Sequence, residues 1–176
     1  DIDIRETKIP FRAVSTDLVS GRTIVFSEGS LRQAVLASCS VPGAVAPVRR
    51  GDWILADGSI TSVVPVHATR EAGADIVIAV TVDRESPSSV SIETGKDVFY
   101  RAGEIVSDTL EAVELKDADV IIRPKVGDLH WMDFKRAGEL VKKGEEAARN
   151  SLAEINACLP LYRRIIRLTG RFIKRS

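Results

Sequence analysis

A carboxylate that ends a short strand and is followed at once by a glycine can serve as a general base, and residues 53–58 of this chain have that form. Trp53-Ile54-Leu55-Ala56 reads as a strand, Asp57 closes it, and Gly58 lets the backbone turn away. An aspartate held there can take a proton from a hydroxyl brought against it. Asp-Gly is also among the commonest turn signals, so the neighbouring segments have to decide between base and turn. The other titratable candidates read as structural. His67 lies in an expected helix and His130 precedes Trp131 in a loop; neither has a second ligand at metal-binding spacing, and no metal or cofactor is expected. Asp17, just before Ser20-Gly21, reads as a turn cap. Asp83 ends a strand, where α/β proteins often place ligands, but reads here as a loop cap. Glu145 and Glu146 alternate with Lys142, Lys143 and Arg149 as on a solvated helix face. Cys39 and Cys158 read as a reduced pair in a cytosolic protein.

The elements that must position Asp57 can be followed along the chain. Residues 11–15 and 23–26 are β-rich and are joined through Asp17 and Ser20-Gly21, which predicts a hairpin. Ser30 is the expected N-cap of a helix over 31–37, with positions 31, 34 and 35 on one apolar face, and Pro42-Gly43 stops it. Residues 45–48 and 53–56 flank Arg49-Arg50-Gly51-Asp52, a second hairpin or tight bend. Pro65 opens a helix through Ala72 that Gly73 ends. The continuous β-branched run 76–82 predicts a parallel strand buried on both faces, and 120–122 predicts its partner after a crossover helix over 96–115. Asp133 is the expected cap of a long helix to about Ala157, with Phe134, Leu140, Val141, Ala147 and Leu152 inward. This alternation of strands and helices predicts an α/β layered domain with helices on both faces of a sheet.

With 176 residues, 44% of them hydrophobic and 28% charged, the chain has the composition of a globular domain able to bury a core. No apolar run approaches the roughly 20 residues needed to span a bilayer. The net charge of zero conceals an asymmetry: Arg163, Arg164, Arg167, Arg171, Lys174 and Arg175 crowd the last eighteen residues without one acid, which leaves an acidic body. The expected division is an α/β body over 1–158 and a basic amphipathic helix over 159–176. From Pro160, the residues Leu161, Ile165, Leu168 and Phe172 form one stripe with the basic residues opposite. Such a helix either lies on an anionic membrane surface or docks on the body with its arginines outward. Nucleic acid is not an expected partner, because the body is acidic and no recognition motif is present.

The order of features around Asp57 resembles the patatin-like phospholipase family, specifically the C-terminal half of its domain as bacteria carry it. The resemblance rests on Ser38-Cys39-Ser40-Val41-Pro42-Gly43, then Ala56-Asp57-Gly58, then Val64-Pro65-Val66. It extends back through Val14-Ser15-Thr16-Asp17-Leu18 and Phe26-Ser27-Glu28-Gly29. It implies a three-layer α/β/α sandwich, present here only in part. It also implies a lipid acyl hydrolase in which Asp57 is the aspartate of a Ser-Asp dyad and Gly58 the first glycine of its Asp-Gly-Gly or Asp-Gly-Ala motif, acting on an acyl lipid or ester.

The family's GxSxG serine and glycine-rich oxyanion loop do not occur in this sequence. The chain therefore reads as part of a longer polypeptide whose N-terminal segment of the same domain brings the serine, and alone it is expected to be inactive. Ser59 stands where the family has glycine or alanine, and Ser62-Val63 where bacterial members often have asparagine before the proline. Ser59 either hydrogen-bonds Asp57 and weakens it as a base or fills the place of a small residue, the reading preferred here. The expected setting is cytoplasmic, with peripheral membrane association through the tail. The alternative is a non-catalytic interaction or membrane-surface module derived from the fold.

Overall fold

The computed structural model describes residues 1–84, 92–127 and 134–159. In chain order its elements are β1 (Ala13–Asp17), β2 (Arg22–Phe26), α1 (Leu31–Ser38), β3 (Val48–Arg50), β4 (Trp53–Asp57), α2 (Val66–Glu71), β5 (Ile78–Val80), β6 (Asp83–Arg84), α3 (Gly95–Glu114), β7 (Val120–Ile122), β8 (Lys125–Gly127), α4 (Ala137–Asn150) and α5 (Leu152–Cys158). The chain is mixed α/β, as the alternation predicts. It folds as two compact units, one of Asp1–Ala68 with Ser91–Lys116 and one of Thr69–Val90 with Asp117–Ser176. Among the described residues no helix is long and apolar enough to cross a membrane.

The first unit is built on an antiparallel sheet in the order β2-β1-β4-β3. The expected first hairpin forms, with Ala13 opposite Phe26 and Asp17 opposite Arg22. Asp17 is the reason its turn holds. Its carboxylate accepts the Ser20 hydroxyl at 2.6 Å and the amides of Val19 and Ser20 at 3.2 and 3.1 Å. It also reaches across to the Ile54 amide of β4 at 3.1 Å. The Ser20 hydroxyl and these amides hold the carboxyl below its usual range. Asp17 is thus a turn cap that also ties down the strand carrying Asp57.

The second hairpin closes through Gly51, whose φ of 60° is the left-handed backbone that a two-residue hairpin loop places at its first central position. Above the sheet, α1 starts where Ser30 Oγ accepts the Gln33 amide at 3.0 Å, and it packs on β1 and β4. Ile4, Ala13, Phe26, Ala34, Ala37 and the fully buried Leu55 form the core between them.

In the second unit β5 and β7 pair in parallel, Ile78 with Val120 through Val80 with Ile122, as the two β-branched runs predict. A short parallel pair, β6 with β8, was not legible in the sequence. The strand over 76–82 differs from expectation in burial. Val77, Ala79 and Thr81 are buried, whereas Ile78, Val80 and Val82 are 42%, 58% and 52% exposed, so only one of its two apolar faces is covered.

Arg70 and Asp119 clamp this unit. The guanidinium donates to the carbonyls of Asp75 at 2.8 Å and Asp117 at 3.2 Å and to Asp119 Oδ2 at 2.5 Å, and the same carboxylate oxygen accepts the Val77 amide at 2.7 Å. The Val77 amide first, then Arg70, hold the Asp119 carboxyl below its usual range. A carboxyl depressed in the fold contributes stability above its unfolded pKa of about 3.9, and that stability is lost as pH falls through the folded value. Asp119→Asn is therefore expected to lower the melting temperature at pH 7 and to shrink the further loss on acidification below about pH 4. Melting curves at pH 7 and pH 3 check this, and equal acid sensitivity in both proteins would contradict it.

Two helices depart from expectation. α3 forms with a capping box, Thr94 Oγ1 accepting the Asp97 amide while the Asp97 carboxylate takes the Thr94 amide, yet it buries none of its residues. Its Val98, Phe99, Ile105 and Val106 are exposed. The long helix expected to about Ala157 is broken at Ser151 into α4 and α5. The Ser151 hydroxyl donates to the Ala147 carbonyl four residues back at 3.1 Å, a bond that bends helices. Leu140 and Ala147 are half-buried, while Phe134, Val141 and Leu152 are exposed. Asp133, the expected cap, and the basic tail from Pro160 onward lie outside the described residues.

Candidate active site

Asp57 sits at the C-terminal end of β4, opposite Ser15 of β1. Its amide donates to the Ser40 carbonyl at 3.0 Å, so the segment that follows α1 is tied to the base of the site. The side chain is half-buried, and its Oδ1 accepts the backbone amide of Ser59 at 2.9 Å. Any residue but proline at position 59 supplies that donor. Oδ2 has no hydrogen-bond partner among the described residues, which leaves one carboxylate oxygen available for an incoming hydroxyl.

Ser15, the serine nearest in register, is no candidate nucleophile. It is fully buried and donates to the Ala56 carbonyl at 2.5 Å.

Gly58 is required by close approach rather than by a left-handed turn. A Cβ at this position would lie 2.6 Å from the Val14 carbonyl oxygen of β1. The chain then makes one tight turn over Gly58–Ile60, with the amides of Thr61 and Ser62 returning to the Gly58 carbonyl at 3.0 and 2.8 Å. Thr61 Oγ1 meets the hydroxyls of Thr16 and Thr23, each at 2.9 Å, so the loop is tied back to β1 and β2.

These segments surround an open cleft of about 320 Å³, near the lower end of the roughly 300–1,000 Å³ usual for small-molecule sites. Asp57, Gly58 and Ser59 line it together with Phe11–Val14, with Val35, Ser38 and Cys39, and with Ser62, Val63 and Pro65. Val35 was expected to face inward with Leu31 and Ala34. Ala34 and Ala37 take the core side of α1 instead, and Val35, more than a quarter of a turn from either, is left facing the cleft.

The structure thus places Asp57 and Gly58 together in a cleft. It brings none of the other candidates there except Cys39, which lies exposed on the wall. His67 is on the exposed side of α2, Asp83 is in β6, and His130 is outside the described residues. No cluster of metal-ligating side chains occurs among the described residues. Sequence reasoning did not anticipate Phe11 and Arg12 at the cleft. The signal available was register, since with Ser15 opposite Asp57 in an antiparallel pair the residues just before β1 run past the end of β4, towards the turn that follows Asp57.

The segment that carries the sheet, α1 and the cleft is also the part of the chain, residues 1–70, that matches a known family. Those residues match the model of the patatin-like phospholipase family. Among its relatives, an uncharacterised NTE-family protein of Mycobacterium tuberculosis is 37% identical over 82 residues, which cover 47% of this chain and 23% of that protein. A second such protein of the same species is 28% identical over 166 residues, or 81% of this chain and 28% of the relative. Patatin-like phospholipase domain-containing protein 7 of Mus musculus is 32% identical over 84 residues, which cover 47% of this chain and 6% of the mouse protein. The chain therefore spans only about a quarter of the length of the mycobacterial relatives.

Proposed function

We propose that this chain is the aspartate-bearing part, the C-terminal half, of a bacterial-type patatin-like lipid acyl hydrolase that works by a Ser-Asp dyad. The observation that carries the reading is Asp57, half-buried at the end of β4 with Oδ2 unpartnered among the described residues, over a cleft walled partly by apolar side chains. In the proposed reaction a serine hydroxyl from a GxSxG segment passes its proton to Asp57 while its oxygen bonds to the ester carbonyl carbon. The tetrahedral oxyanion is held by backbone amides of the glycine-rich loop. On its collapse the alcohol leaves with the proton from Asp57 and the acyl group stays on the serine. A water then attacks the acyl carbon and gives a proton to Asp57; as the acyl–serine bond breaks, Asp57 returns that proton to the serine oxygen, and the carboxylic acid leaves.

The serine and the oxyanion loop would come from a segment of the same domain that this sequence does not contain. The exposed apolar residues support such a partner. Val98, Phe99, Ile105 and Val106 on α3, and separately Ile78, Val80 and Val82 on β5 and its flanks, are β-branched or aromatic surface that a further layer of the domain would cover. The proportion of the mycobacterial relatives that lies outside the match leaves room for that layer.

The test is hydrolysis of p-nitrophenyl butyrate. Residues 1–176 alone are expected to show no turnover above buffer, and a longer polypeptide that joins them to a GxSxG-bearing patatin segment is expected to turn over. Turnover by the 176-residue chain alone would overturn the division of the dyad.

A further inference from the structure

We propose that Glu114 is a positioning residue for the cleft: it holds the apolar wall beside Asp57 and thereby sets which acyl chain lengths are hydrolysed. The inference rests on the reading of Asp57 as the base, and it concerns a residue far from Asp57 in sequence.

Glu114 is the last residue of α3 and is half-buried. Both of its carboxylate oxygens are committed to one stretch of loop. Oε1 accepts the Ser62 hydroxyl at 2.5 Å, and Oε2 accepts the Val64 amide at 2.9 Å. Hydrogen bonds to an ionised acceptor are roughly twice as strong as neutral ones. Between the two anchored residues stands Val63, which lines the cleft together with Ser62 and Pro65.

The loop has no strand or helix from Thr61 to Pro65 to hold it. Its near end is tied by the Ser62 amide to the Gly58 carbonyl and by Thr61 to Thr16 and Thr23. Its far end begins with Val64, a buried residue whose amide goes to Glu114. Without that acceptor a backbone donor in a buried setting would have to find another partner, and the segment would shift. The wall that moves is the one an acyl chain would lie against when its ester carbonyl is near Asp57. A change of one methylene in such a pocket changes kcat/KM by about 10- to 200-fold, so a displaced wall alters selectivity before it alters chemistry.

The experiment compares wild type, Glu114→Ala and Glu114→Gln in the full-length serine-bearing protein, using p-nitrophenyl esters from butyrate to palmitate. Glu114→Ala is expected to flatten the chain-length profile of kcat/KM by about tenfold at the preferred length, mainly through KM, with kcat on butyrate little changed. Glu114→Gln is expected to restore most of the profile, because its amide oxygen still accepts from Val64 while its NH2 donates to the Ser62 hydroxyl.

Hydrogen exchange of the Val64 amide in residues 1–176 provides a readout that needs no activity. It should speed up in the alanine variant and stay slow in the glutamine one. Unchanged exchange in Glu114→Ala would overturn the anchor. Faster exchange with an unchanged chain-length profile would reduce Glu114 to a merely structural role. The underlying reading fails differently, through turnover that survives Asp57→Asn or through no ester hydrolysis by the full-length wild type, whatever the exchange result.

Discussion

Asp57→Asn in the full-length protein is expected to lower kcat for ester hydrolysis by roughly 10²- to 10⁴-fold, the usual contribution of a positioned general base. The effect should be confined to chemistry. Asparagine has the shape of aspartate, and its Oδ1 can still accept the Ser59 amide that closes the turn after β4. The Asp57 amide, which donates to Ser40, is untouched by the change. The variant should therefore melt close to wild type and bind ester substrate with similar affinity while failing to turn it over. Paired measurements of kcat and melting temperature check this. A kcat within a fewfold of wild type would remove Asp57 from the mechanism, and a collapsed melting temperature would make it a structural residue instead.

The second large effect is expected from Gly58→Ala. The added carbon would sit 2.6 Å from the Val14 carbonyl oxygen, a backbone atom of β1 in the middle of the sheet, so neither side can yield without moving a strand. Overpacking of this kind costs about 1–3 kcal/mol, and here the strain falls next to Asp57, so hydrolysis should drop with stability. Gly103→Ala provides the opposite sign. Gly103 lies within α3 with open space where a Cβ would go, and alanine in a helix interior is favoured over glycine by about 0.5–1 kcal/mol. Urea titrations of the two variants check the contrast. Equal stability of Gly58→Ala and wild type would mean that the contact with Val14 is not tight.

Local signals in the sequence located most of the first unit. The hairpin turns were legible because Ser20-Gly21 and Gly51 supply backbone that few residues adopt, and α1 because Ser30 is a good cap. The parallel pairing of β5 with β7 followed from two β-branched runs separated by one helix. Burial was where sequence reasoning failed. A run such as 76–82 reads as buried on both faces because both of its alternating faces are apolar, and the described structure covers only the side of Val77, Ala79 and Thr81.

The same holds for α3, whose apolar spacing is helical and whose side chains are exposed. The break at Ser151 was invisible because serine is tolerated in helices unless its hydroxyl turns back on the preceding turn. Of the site, Asp57 and Gly58 were legible as a pair, but the reason for the glycine was not. Sequence suggests turning freedom, whereas the structure shows a backbone contact with a strand more than forty residues earlier. Glu114 gave no signal, because nothing local links the end of a helix to a loop fifty residues before it.

The most direct test of the central claim, that Asp57 activates a serine carried by another part of the domain, is fluorophosphonate labelling of the full-length protein followed by mapping of the labelled peptide. One labelled serine is expected, in a GxSxG segment outside these 176 residues, with labelling lost in Asp57→Asn. Labelling of a serine within residues 1–176, or labelling that persists at the wild-type rate in Asp57→Asn, would contradict it.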